Sequence, residues 1–107
     1  MSRELIGGVA HTVEKALTEA EASVTAGVFK EEPNNWWVAL EARFGKAPER
    51  GEVVEQIKQK LSLKTSGATE VEPGVLKFMT PKVGLVMVTC FPVLMPELVM
   101  VIIAVGK

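Results

Sequence analysis

The stretch VGLVMVTCFPVLMPELVMVIIAV, residues Val83 to Val105, decides how the rest of the chain is read. Its twenty-three residues have the length of a membrane-crossing helix, and Lys82 and Lys107 flank it as an anchor's charges would. Insertion is close to balanced. About fifteen apolar residues at ~0.4 kcal/mol each favour it by ~6 kcal/mol, and a central Glu97 opposes it by ~3. Pro92 and Pro96 near the midpoint oppose it further.

Side-chain shape points to strands instead. Ten of the twenty-three residues are β-branched, and the proline-bounded break leaves two halves, Leu85 to Phe91 and Leu98 to Val105, of strand length. The expectation is two adjacent, deeply buried β-strands, with a tail-anchored membrane protein through residues 83–105 as an alternative. An antiparallel pair with one wet face alternates apolar and polar residues. Here both alternating sets are apolar: Leu85, Met87 and Phe91 against Val86, Val88 and Cys90, then Leu98, Met100 and Ile102 against Val99, Val101 and Ile103. Something must cover both sides.

Upstream, apolar residues at Leu5, Ile6, Val9, Val13, Ala16, Leu17, Ala20 and Val24 recur at helical spacing, which predicts an amphipathic helix from Arg3 to about Val28, ended by Gly27. Gly7 and Gly8 predict either a start near Val9 or a site of close packing. Trp36 to Phe44 fits either a helix capped by Asn35 or a strand with Trp36, Val38, Leu40, Ala42 and Phe44 on one face; the strand is favoured. Pro48 opens a second helix to about Leu61, with Val53, Val54, Ile57 and Leu61 buried. Lys64 to Gly74 reads as a loop and Val75 to Thr80 as a short strand.

The expected fold is therefore a single α+β domain over residues 1–107. An N-terminal amphipathic helix and a second helix pack on a small, mainly antiparallel sheet whose core is the C-terminal strand pair. Two helices suffice for one face of that sheet, and the remaining chain is too short and polar to cover the other. A second subunit is the expected cover. The alternative is that strand Trp36 to Phe44, or a helix crossing over, completes the burial within one chain.

Composition narrows function by exclusion. A net charge of -1, from 12 basic and 13 acidic residues, supplies no field for a polyanion, so nucleic acid is not an expected partner. One Cys and one His build neither a disulfide framework nor a zinc site, and no metal or cofactor is expected. A single cysteine and the lack of a basic-then-apolar leader in residues 1–5 favour the cytoplasm.

No motif names a reaction, so an enzyme is not the favoured reading. Cys90 in an apolar strand is a poor nucleophile, and His11 falls opposite the helical stripe. Gly7-Gly8 lacks the context of a phosphate loop. Glu14, Glu19, Glu21, Glu49, Glu52 and Glu55 read as solubilising charge on helix faces, and Lys58, Lys60, Lys64, Lys77 and Lys82 as a scattered solvated set.

What remains suggests association. Val93, Leu94 and Met95 sit between prolines where a surface loop normally carries polar residues, so they are either an interface anchor or a loop folded back over its own core. Met79, Met87, Met95 and Met100 concentrate in this half. Thioethers suit adaptable binding surfaces, although core filling is their commoner use. Trp36 and Trp37 point opposite ways on a strand, so one of them would anchor an interface or a ligand unless both are core aromatics. The leading expectation is a protein-protein association module, a homo-oligomeric structural or assembly component using Val93, Leu94, Met95, Met87 and Met100. The alternative is a small-molecule-binding protein or small enzyme, with a pocket at a subunit boundary lined by Trp36 or Trp37.

Overall fold

The computed structural model describes residues 2–32, 35–63, 65, 67–80, 84–92 and 95–105. Its elements are α1 (Ser2–Glu19), β1 (Ser23–Glu32), β2 (Asn35–Arg43), α2 (Arg50–Ser62), β3 (Thr69–Glu72), β4 (Val75–Thr80), β5 (Gly84–Pro92) and β6 (Leu98–Val105). The strands form one antiparallel sheet in the order β1-β2-β6-β5-β4-β3. Both helices bury their stripes in one core on one face of it, an α+β fold.

The end of α1 corrects the expectation of a helix to Val28. Ala22 N–H donates to the Leu17 carbonyl at 3.0 Å and Glu21 N–H to the Thr18 carbonyl at 2.9 Å, with Glu21 at φ 70°. That is the Schellman geometry, and its usual apolar contact is supplied by Leu17 and Ala22, both buried. The left-handed position carries Glu in place of Gly, so the stop leaves no mark in the sequence. Ala20 and Val24 continue the helical spacing only by coincidence. Val24, Thr25 and Val28 are β-branched and run in β1 against β2, with Gly27 in mid-strand. Gly7 and Gly8 lie exposed inside α1 with open space around them, so they neither start the helix nor permit a close approach.

Helix α2 begins two residues after Pro48 and buries Val53, Val54, Ile57 and Leu61, the expected stripe. The segment expected as a loop contains β3, a four-residue edge strand exposed along its whole length. An edge strand with no buried face shows no apolar alternation, so polarity alone misread it. The tight turn at Pro73-Gly74 joins it to β4.

Strands β5 and β6 pair as neighbours, but the core is not organised around them alone. β6 is flanked by β2 on its other side, and Leu40 of β2 is as buried as Val101 of β6 and Val88 of β5, at 0% exposure. Val38, Leu40 and Ala42 alternate with Trp37, Ala39 and Glu41, which fixes this segment as strand to Arg43, with Phe44 just beyond its end. β2 lies in the plane of the sheet and covers neither face of β6. Residues 84–92 and 98–105 are strands, and among the described residues no helix is long and apolar enough to cross a membrane.

Candidate interaction surface

Alternation along the four central strands sends one set of side chains beneath the helices and the other to the opposite face. Strand β6 shows the division most plainly: Val99, Val101, Ile103 and Val105 are buried, while Met100, Ile102 and Ala104 are half-buried. Inter-strand register aligns the second set in rows. Trp37, Ala104, Met87 and Lys77 form one row across β2, β6, β5 and β4. Ala39, Ile102, Thr89 and Val75 form the next. Glu41 and Met100 begin a third, and Arg43 stands beside Leu98. Glu41, Arg43 and Lys77 are exposed, and every other described member of these rows is at least half-buried.

The result is a broad apolar surface with charges near two corners, and among the described residues no helix lies above it. Met87, Met100 and Trp37, three of the residues singled out from sequence, meet here. Met79 on β4 reaches 56% exposure. None of Met79, Met87, Met95 and Met100 belongs to the core, against the commoner expectation of core filling. Met95 lies at the end of the sheet where β6 begins; it is 41% exposed and its carbonyl accepts the Leu98 N–H at 3.0 Å. Val93, Leu94 and the Trp36 side chain lie outside the described residues. Ala39, Val75 and Lys77 were not singled out from sequence as members of this surface, Lys77 being read only as one of a scattered solvated set. The alternation of residues 36–44 marks the first, but the other two join the surface only through the β4–β5 register.

The remaining candidates are dispersed. His11 is exposed on α1. Lys58 pairs with Glu55 at 3.3 Å and Lys60 with Glu19 at 2.9 Å, so these lysines serve the helices and not a basic patch. An open groove of about 1010 Å³ runs between the Glu21 turn, residues 44–49 and the start of α2, with Glu21, Glu49, Glu52 and Glu55 along it. All four are exposed, and among the described residues no cluster of three or more His, Cys, Asp or Glu is placed to hold a metal ion.

Cys90 is buried at 1% exposure, and its thiol is pushed up to about 11 from 9.0, chiefly by loss of hydration and slightly offset by the positive charge of Arg50. The folded state thus favours the protonated thiol, which is no nucleophile at neutral pH. Because the folded value lies above the unfolded one, the linked stability is present below pH 9 and is lost as pH rises toward 11, by ~3 kcal/mol in all. Urea unfolding of the wild type and Cys90→Ala at pH 8 to 11 should show a steeper decline for the wild type.

Searches against protein families, characterised proteins and solved structures find no match to this chain.

Proposed function

We propose that this chain works by association, as a homo-oligomeric structural or assembly component, and that the open sheet face is the surface a second copy covers. The observation that carries the reading is the one-sided placement of α1 and α2, which leaves Trp37, Met87, Met100 and Ile102 half-buried on the other side. A net charge of -1 puts little repulsion between copies. Met95, exposed just before the start of β6, adds a further apolar side chain at that end of the sheet. Cytoplasmic residence belongs to this reading too, since a lone buried thiol suits a reducing compartment.

A brief peroxide pulse mapped by mass spectrometry tests it. Met87 and Met100 should oxidise several-fold more slowly at ~100 μM chain than at ~1 μM, because burial excludes oxidant from the thioether. Equal rates at both concentrations would remove the reading.

A further inference from the structure

Two of the charges on the open face, Glu41 and Lys77, indicate how a second copy sits, on the premise above that a second copy is the occupant. Glu41 stands on β2 in line with Met100 and Phe91, and Lys77 stands on β4 in line with Met87, four residues from Phe91 on β5. The two positions are separated by three strand spacings, about 14 Å, across the sheet and by about 14 Å along it. The line joining them therefore runs close to 45° to the strands. Among the described residues the ion pairs join Lys58 to Glu55 and Lys60 to Glu19, and neither Glu41 nor Lys77 takes part in them.

Two sheets packed face to face are related by a two-fold axis lying between them. An axis along the strands exchanges β2 with β4 row for row. It sets Lys77 over the second copy's Trp37 and leaves Glu41 past Val75 with no cation. An axis across the strands puts Glu41 over the second copy's Trp37 and leaves Lys77 without an acid. A diagonal axis exchanges the Glu41 and Lys77 positions, so that each meets the other twice by symmetry. The same rotation carries Arg43 onto Thr69 of β3, beside Lys77, and sets Met100 against Val75. Ile102 and Trp37 then lie beside the axis, each near its own copy.

We infer that the second copy docks crosswise, its strands near a right angle to those of the first, with Glu41 of each copy against Lys77 of the other. Orthogonal packing is one of the two arrangements that twisted sheets prefer. Of the three axes, the diagonal one alone sets Glu41 against Lys77, with apolar side chains between the two symmetric pairs.

Charge exchange tests the arrangement on folded protein, since both residues are exposed. Sedimentation equilibrium would be run on the wild type, Glu41→Lys, Lys77→Glu, the double variant and Ile102→Lys, with circular dichroism confirming the fold of each. Each single exchange places like charges together twice and should raise Kd about tenfold or more. The double exchange should return Kd to within about threefold of wild type. If the double variant is weaker than either single while Ile102→Lys still dissociates the dimer, crosswise docking is wrong and the open face stands. A wild type that stays monomeric overturns both.

Discussion

Gly74→Ala is expected to lower the melting temperature by about 10–15 °C, corresponding to a loss of ~2–3 kcal/mol in a domain of this length. Gly74 sits at φ +82°, where an L side chain is strained by ~1–2 kcal/mol. An added Cβ would also stand 2.5 Å from the Cys90 carbonyl oxygen and 2.5 Å from Nη2 of Arg50. The guanidinium can swing aside, at the cost of its 3.1 Å hydrogen bond to the Pro73 carbonyl. The Cys90 carbonyl has no such freedom, because it belongs to β5 and the Cys90 N–H is held by the Gly74 carbonyl at 2.7 Å. Relief requires the β3–β4 turn to pull away from β5. Gly51→Ala, with open space at its Cβ, should leave the melting temperature unchanged or slightly raised. Thermal melts of the two variants followed by circular dichroism give the comparison.

The second large effect separates two neighbours on one strand. Ile103→Lys should abolish folding, and Ile102→Lys should leave the monomer folded. Ile103 has 0% exposure and lies beneath the helices between Val38 and Val88. A lysine there places an unpaired ammonium in the core and removes a packed side chain. The cost exceeds ~4 kcal/mol, much of the 5–15 kcal/mol that holds a typical domain together. Ile102 points the other way, between Ala39 and Thr89 on the open face, where a lysine reaches water. Its expected cost to the monomer is below ~1 kcal/mol. Far-ultraviolet circular dichroism and urea titration of both variants would distinguish the faces.

This division was legible before the structure because period-2 alternation survives in a doubly apolar strand. Val99, Val101 and Ile103 on one side and Leu98, Met100 and Ile102 on the other follow from the residue count alone. The α2 stripe was legible for the same reason at a different period. The stop after Glu19 was hidden because a glutamate occupies the position glycine usually marks, and β1 was hidden behind it. β3 was hidden because an edge strand buries no side chain. The pairing of Lys77 with the row of Trp37 required the register of three strand pairs, which no local pattern encodes.

The proposed association was legible only as a mismatch between apolar surface and available cover. With β1 and β3 placed at the edges, the sheet grows to six strands, while the cover among the described residues remains two helices on one side. The mismatch widens accordingly. A second copy presenting the same face would bury the shared surface from both sides, and the mixed charges at its corners would set the orientation.

The mass of the chain in solution tests this most directly. Sedimentation equilibrium at 1 to 100 μM should return twice 11.6 kDa for the wild type at the upper concentrations and 11.6 kDa throughout for Ile102→Lys. A wild type of 11.6 kDa across that range, or an Ile102→Lys variant as dimeric as the wild type, would contradict it.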